Sequence, residues 1–249
     1  MEWTDAGKWQ EEKGNIVVNA SLYFQIAVVL QTSLRGVLAR KAAWFGILVF
    51  GLCLLILFPF SFGTDLVKQD LVRTGVFWMV QEFLVVQLVG RIFAVESEQG
   101  ALELMLNPGF SRRALLLGKI LFTFLQLLTL QLPICLVWWA LYEIPVAQTR
   151  ALAQVLLPVL VLFNLGTSCL GVMLNSLTAR SLGREILVPI LFFPLQISVL
   201  LAAVQLTVQD AVLLPKGGFS NQAWWSILAG FPLIFGGVAL LLENALFEE

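Results

Sequence analysis

The chain has 249 residues, of which 59% are hydrophobic and 12% charged, with a mean hydropathy of +0.90. A soluble domain carries about twice that charged fraction, so composition excludes an ordinary water-soluble enzyme, and the net charge of −1 is uninformative because the charges are segregated rather than scarce. There is no histidine, which excludes a His-ligated metal or haem, a Ser-His-Asp triad and a histidine proton relay.

The first 20 residues, Met1–Ala20, are polar and carry Glu2, Asp5, Lys8, Glu11, Glu12 and Lys13. They lack an apolar core of the signal-peptide kind, so the first true span is expected to serve as insertion signal. Residues 21–41 mix Leu22, Phe24, Ile26, Val28, Val29, Leu30, Leu34, Val37 and Leu38 with Gln25, Gln31, Arg35 and Arg40. That mixture is too polar at its C-terminal end to span comfortably and reads as an amphipathic helix in the interface plane, with a partially inserted or re-entrant segment as the alternative. Uncharged runs follow at Ala42–Thr64, Ile120–Tyr142, Ala151–Ala179, Ile186–Gln209 and Gly217–Leu242, and Thr74–Gly90 is interrupted only by Glu82. Crossing hydrocarbon takes roughly 20 apolar residues as a helix. The expected architecture is therefore an all-α membrane protein, a single membrane domain over 21–249 with six spans at about 42–64, 74–90, 114–142, 151–179, 186–209 and 223–242. Cys53, Cys135 and Cys169 lie far apart inside apolar runs and read as small packing residues rather than a redox or metal set.

Charge sets the orientation. With the N-terminus inside, the inner side holds Lys8, Lys13, Arg35, Arg40, Lys41, Arg91, Arg112, Arg113, Lys119, Arg180 and Arg184, and the outer side only Lys68, Arg73, Arg150 and Lys216. The positive-inside rule then places both termini in the cytoplasm. The longest inner loop, Arg91–Arg113, is not a tether. Ala94–Asn107 carries helix formers, with acids toward its early part where the helix dipole favours them. Asn107-Pro108-Gly109 stops it, and Ser111 can cap the next helix. A short cytoplasmic helix between spans two and three is expected.

Few residues could carry chemistry. Glu82 is the one acid well inside a span, and a carboxylate in lipid costs several kcal/mol unless it faces a bundle interior or water. It is either a cavity or coupling residue or a protonated packing residue beside Gln81 and Gln87. Lys119 either snorkels to headgroups or contacts a substrate phosphate or propionate. Arg184-Glu185 at the start of span five is an interfacial anchor or a contact to partner or substrate. Gln126, Gln131, Asn164, Asn175, Gln196 and Gln205 read as interhelical hydrogen-bonding groups. Pro133, Pro158, Pro189, Pro194 and Pro232 lie within spans, where freed carbonyls must be satisfied by neighbouring helices or water. No catalytic or metal-binding set emerges. Gly118-Lys119 lacks the rest of a P-loop, so a nucleotide motor, where there is one, is another chain.

Two blocks carry a family resemblance: Gly90–Pro108 (GRIFAVESEQGALELMLNP) followed by Leu115–Leu121 (LLLGKIL), and Arg184–Pro194 (REILVPILFFP) followed by Val199–Val204 (VLLAAV). With Phe58–Gly63 (FPFSFG) closing span one, they resemble the CcmB family, haem exporter protein B of bacterial cytochrome c maturation, whose membrane domain is of ABC-2 exporter type. The polar extension Met1–Ala20 and Gln196-Ile197-Ser198 depart from the family pattern. The resemblance implies a non-catalytic permease subunit in the bacterial inner membrane, surrounded by lipid and paired with a second copy of itself. It also implies an ABC ATPase in two copies that binds ATP and Mg, a haem-handling membrane protein and a haem chaperone. Haem is handled by the complex, no cofactor is expected on this chain alone, and nucleic acid is not a partner. On this reading Glu96, Glu98, Gly100, Leu102, Glu103, Met105 and Leu106 form a coupling helix against the ATPase, with Glu82, Lys119, Arg184 and Glu185 as cavity or coupling candidates. An ABC-2 permease exporting a lipid, glycan or drug is the alternative within the same mechanics. A membrane-embedded enzyme is the alternative from another class, and would need convergent acids that one Glu82 does not supply.

Overall fold

The computed structural model describes residues 22–63, 69–92, 111–178, 184–211 and 221–243, without the side chains at 147, 184, 185 and 209–211. The extension Met1–Ala20 and the expected cytoplasmic helix Ala94–Asn107 lie outside the described residues. Within them all regular structure is helical: α1 Leu22–Ala39, α2 Lys41–Phe62, α3 Asp70–Val89, α4 Arg112–Leu141, α5 Val146–Leu177, α6 Arg184–Ala211 and α7 Asn221–Leu241. All seven are long and apolar enough to cross a membrane. The six expected spans correspond to α2–α7. Several helices run past the uncharged runs, α5 by starting at Val146 and carrying Arg150. An uncharged run marks the hydrocarbon-immersed part of a helix, whereas backbone hydrogen bonding continues into the headgroup layer.

α1 differs from a surface amphipathic helix. Its buried residues are Gln25, Val29, Ser33 and Gly36, while Leu22, Tyr23, Phe24, Leu34 and Leu38 are exposed. The i, i+4, i+8 spacing puts the polar and small residues on one stripe, and that stripe packs along α4. A Cβ added to Gly118 of α4 would meet Val29 at 2.8 Å, so the two helices touch nearly backbone to backbone. By length and composition α1 meets the crossing requirement that its Gln and Arg content had argued against. On α1, Leu22, Leu34 and Leu38 face outward while Gln25 and Ser33 face inward.

α3 and α5 form the interior, each with 67% of its apolar window buried, against 17% for α2. α5 is flanked by α4, α6 and α7, and α3 packs on α2 and α6. Close approach again uses glycine: a Cβ on Gly166 would strike Phe231 of α7 at 2.8 Å. Buried amides join the helices. Gln131 and Asn164 exchange two hydrogen bonds, Nε2 to Oδ1 at 2.9 Å and Nδ2 to Oε1 at 2.7 Å, linking α4 to α5. Gln196 Nε2 donates to Thr167 Oγ1 at 2.6 Å, and Trp78 Nε1 to Thr207 Oγ1 at 3.1 Å, linking α6 to α5 and to α3. Cys53, Cys135 and Cys169 are free thiols.

Candidate functional site

The two ends of this bundle are built differently. At one end Arg73, expected in a loop, lies in the first turn of α3 and is 5% exposed. Its Nη2 reaches Asp70 Oδ1 at 2.5 Å and Gln148 Oε1 at 3.1 Å, and its carbonyl accepts from Trp138 Nε1 at 3.0 Å. The Trp138 ring lies 4.4 Å from that of Phe77, and Tyr142 Oη donates to the Leu55 carbonyl at 2.9 Å. Four helices are thereby tied together around a paired cation. This end is closed.

The opposite end is hollow. Lys119 lies about 10 Å along α4 from Arg112, at 1.5 Å rise per residue, yet it is only 1% exposed. Its Nζ donates to the Ile92 carbonyl at 3.2 Å and stands 5.9 Å from the centre of the Phe122 ring. It therefore turns inward rather than snorkelling, because the turn after α3 supplies an acceptor close by. Lys119 lines a cavity of about 90 Å³ with Arg40, Arg91, Ser33, Thr123, Gln126 and Trp44, contributed by α1, α2, α4, the joint between α1 and α2, and the turn after α3. Three cations line it and no carboxylate does, among the described residues. An apolar groove of about 200 Å³ adjoins it along α1 and α4, sharing Val37, Trp44, Phe122 and Gln126.

The chain leaves and re-enters the bundle at this end, and both points are anchored. On departure, Ile92 is held by Lys119 of α4, while Asn175 Nδ2 of α5 donates to the Val89 carbonyl at 2.8 Å. On return, Ser111 N donates to Gln25 Oε1 of α1 at 2.9 Å, and Ser111 Oγ caps α4 by accepting from Ala114 N at 3.4 Å. Arg113 Nε then bridges both oxygens of Glu243, at 2.6 and 2.8 Å, just beyond α7.

Of the candidate residues, Glu96, Glu98, Gly100, Leu102, Glu103, Met105 and Leu106 lie outside the described residues. Arg184 and Glu185 open α6, without described side chains. Glu82 is on α3, 4% exposed, and its Oε2 has no hydrogen-bond partner; both polar side-chain atoms of neighbouring Gln81 are likewise unmatched. Glu82 does not line the cavity with Lys119, so the two are separate features. Sequence reasoning missed Arg40 and Arg91 as cavity residues and Gln25 as an anchor. The available signal was the basic pair Arg40-Lys41, at a joint between two helices with no loop between them.

The model of the family described as CcmB protein matches residues 24–242, which take in almost all of α1 and the whole of α2–α7. The chain belongs to the CcmB family. No curated protein sequence matches it. A CcmB family member is an integral membrane permease component of the haem-exporter ABC system of cytochrome c maturation, which makes this chain part of an ABC transporter complex. In this CcmB family member the hollow, cation-lined end is also where the first resemblance-bearing block, Gly90–Pro108, joins the bundle through Gly90–Ile92.

Proposed function

We propose that this CcmB family member is a non-catalytic force-transmitting subunit, which couples ATP hydrolysis by a separate ATPase to haem delivery or to release of a haem-loaded chaperone. The observation that carries this reading is the double anchorage of the segment 93–110. Its two feet, Ile92 and Ser111, are hydrogen-bonded to α4 and α1, and Val89, just before the first foot, is hydrogen-bonded to α5. A displacement applied between those feet is passed to α4, which packs on the interior pair, and through the Asn175–Val89 bond to α3 and α5 themselves. With Glu96 and Glu98 meeting basic rim residues of the ATPase and Leu102, Met105 and Leu106 as apolar anchors, the segment forms the coupling element. The same reading has α2–α7 crossing the bacterial inner membrane with both termini cytoplasmic and α1 entering from the interface. Keeping Lys8 and Lys13 inside preserves the charge bias that a seventh crossing would weaken.

The test is charge reversal at Glu96 and Glu98 in the reconstituted complex. ATPase activity should lose its dependence on the permease while membrane insertion is unchanged. Coupled ATPase activity and chaperone release at normal levels in that variant would sink the reading. Efficient crosslinking to the ATPase from residues 65–73 would do the same by inverting the topology.

A further inference from the structure

We infer that Arg113 and Glu243 are positioning residues that clasp the return foot of the segment 93–110, at Ser111, to α7, so that movement of that foot carries α7 with it. The inference rests on the coupling role proposed above and adds a second receiver to it. Arg113 occupies the first turn of α4, and its Nε donates to both oxygens of Glu243, at 2.6 and 2.8 Å. The pair is asymmetric: Glu243 is 8% exposed, although the side chain of its partner is 65% exposed. A nearly enclosed carboxylate deprived of its cation would keep the desolvation cost and lose the compensation. The closed geometry is therefore set from the Glu243 side, with the guanidinium reaching in from the surface.

Helix electrostatics gives an independent reason for the pair. The first turn of α4 holds Arg112 and Arg113 and no acid. Cations at the positive end of a helix dipole are unfavourable, whereas an anion there is favourable. Glu243, 130 residues away in sequence, brings that anion. Apart from this pair, α7 packs chiefly on α5 and α6. Its seat on α5 is close: a Cβ added to Gly166 would lie 2.8 Å from Phe231, and one added to Gly236 would lie 3.3 Å from Cys169 Sγ. A displaced return foot then reaches the interior helix α5 by two routes, through α4 and through Glu243 and α7. Ser111, two residues before Arg113, is held to Gln25 of α1, so the foot is gripped from both sides. An arginine that merely anchored to lipid headgroups would leave Glu243 no reason to be enclosed.

Spin labels at Leu121→Cys of α4 and Leu241→Cys of α7, both exposed positions, test the clasp in the full chain with its native thiols replaced by alanine. One narrow distance distribution is expected. Arg113→Gln and Glu243→Gln should each broaden it, the double variant should broaden it no further, and Arg113→Lys should restore most of it. Because Arg113 is largely exposed, its variants stay readable even where Glu243→Gln disturbs folding. In the assembled complex, ATP should shift the wild-type distance. Each Gln variant should remove that shift and cut permease-dependent ATPase activity about three-fold or more, within the range for two residues sharing one ion pair; Arg113→Lys should recover both. A distribution unchanged in both Gln variants would overturn the clasp. So would a broadened one that leaves the nucleotide-driven shift and the ATPase activity intact. The coupling reading fails separately, through normal ATPase activity after charge reversal at Glu96 and Glu98, a variant in which Arg113 and Glu243 are untouched.

Discussion

Arg73 and Lys119 are both cations buried within a few per cent of full enclosure, at opposite ends of the same bundle. Arg73 meets a carboxylate, an amide and, through its carbonyl, an indole, so its charge is neutralised locally and three helices share the result. Lys119 donates to a backbone carbonyl, stands over the Phe122 ring and lines a cavity with two arginines. Burying a charge is costly unless it is paired. The first arrangement discharges that cost inside the chain and is suited to holding helices still. The second holds its cation to the backbone of the turn after α3 and leaves a cavity beside it, at the end where the chain leaves and returns. A fixed end opposite an open one is the arrangement on which the proposed force-transmitting role would depend.

That contrast can be broken or sharpened by substitution. The largest effect should come from Gly118→Val, which drives a branched side chain into Val29 and the α1 backbone beyond it. Overpacking of about 3 kcal/mol is expected, read as lost thermal stability and as loss of a cysteine crosslink between α1 and α4. Arg73→Met should follow, at about 2 kcal/mol. That figure is below the full cost of breaking a buried pair, because Asp70 is one-third exposed. Its thermal midpoint should fall while any ATPase coupling that survives assembly stays normal. Gln131→Leu, which strands the Asn164 amide, should lower stability by about 1 kcal/mol, in the range for interhelical hydrogen bonds in membranes.

Lys119→Met, which removes the bond to the Ile92 carbonyl and the contact with the Phe122 ring, should lower stability by a similar amount, about 1 kcal/mol. If the hollow end is the responsive one, however, it should impair ATPase coupling in the assembled complex far more than Arg73→Met does. Equal impairment by the two would erase the distinction between the ends. The smallest effect belongs to Glu82→Gln, within about 0.5 kcal/mol, since Oε2 has no partner to lose. Loss of complex function in that variant, with protein level unchanged, would instead assign the carboxylate a part in transport.

The helices α2–α7 were legible because uncharged runs of spanning length admit few other readings. The behaviour of single polar residues was legible only where both partners sit in spans. Gln131, Asn164, Asn175 and Gln196 were all expected to bond between helices, and each does. Lys119 was not legible, because the carbonyl that holds it inward comes from the turn at Ile92, far away in sequence. From the sequence Arg73 reads as a loop residue because a charged residue ends an apolar run, yet its partners Gln148 and Trp138 let the helix begin before it. Gln25 and Ser33 on α1 looked like reasons to stay in the interface, although they form the stripe that packs on α4.

The buried stripe of α1 sets an order of events during synthesis. Gln25, Val29, Ser33 and Gly36 have α4 as their counterpart, and Gly118 is translated nearly 80 residues after Ala39. At ribosomal rates of about 5–20 residues per second, α1 waits for several seconds with its polar side unmatched. A segment in that condition is better solvated at the headgroup layer than in hydrocarbon. It should remain there, accessible to water-soluble thiol reagents at an introduced cysteine, until α4 emerges and offers Gly118 as its seat. Docking of α1 is then a checkpoint in biogenesis: chains truncated before residue 112 should keep that cysteine reactive, and full-length chains should protect it.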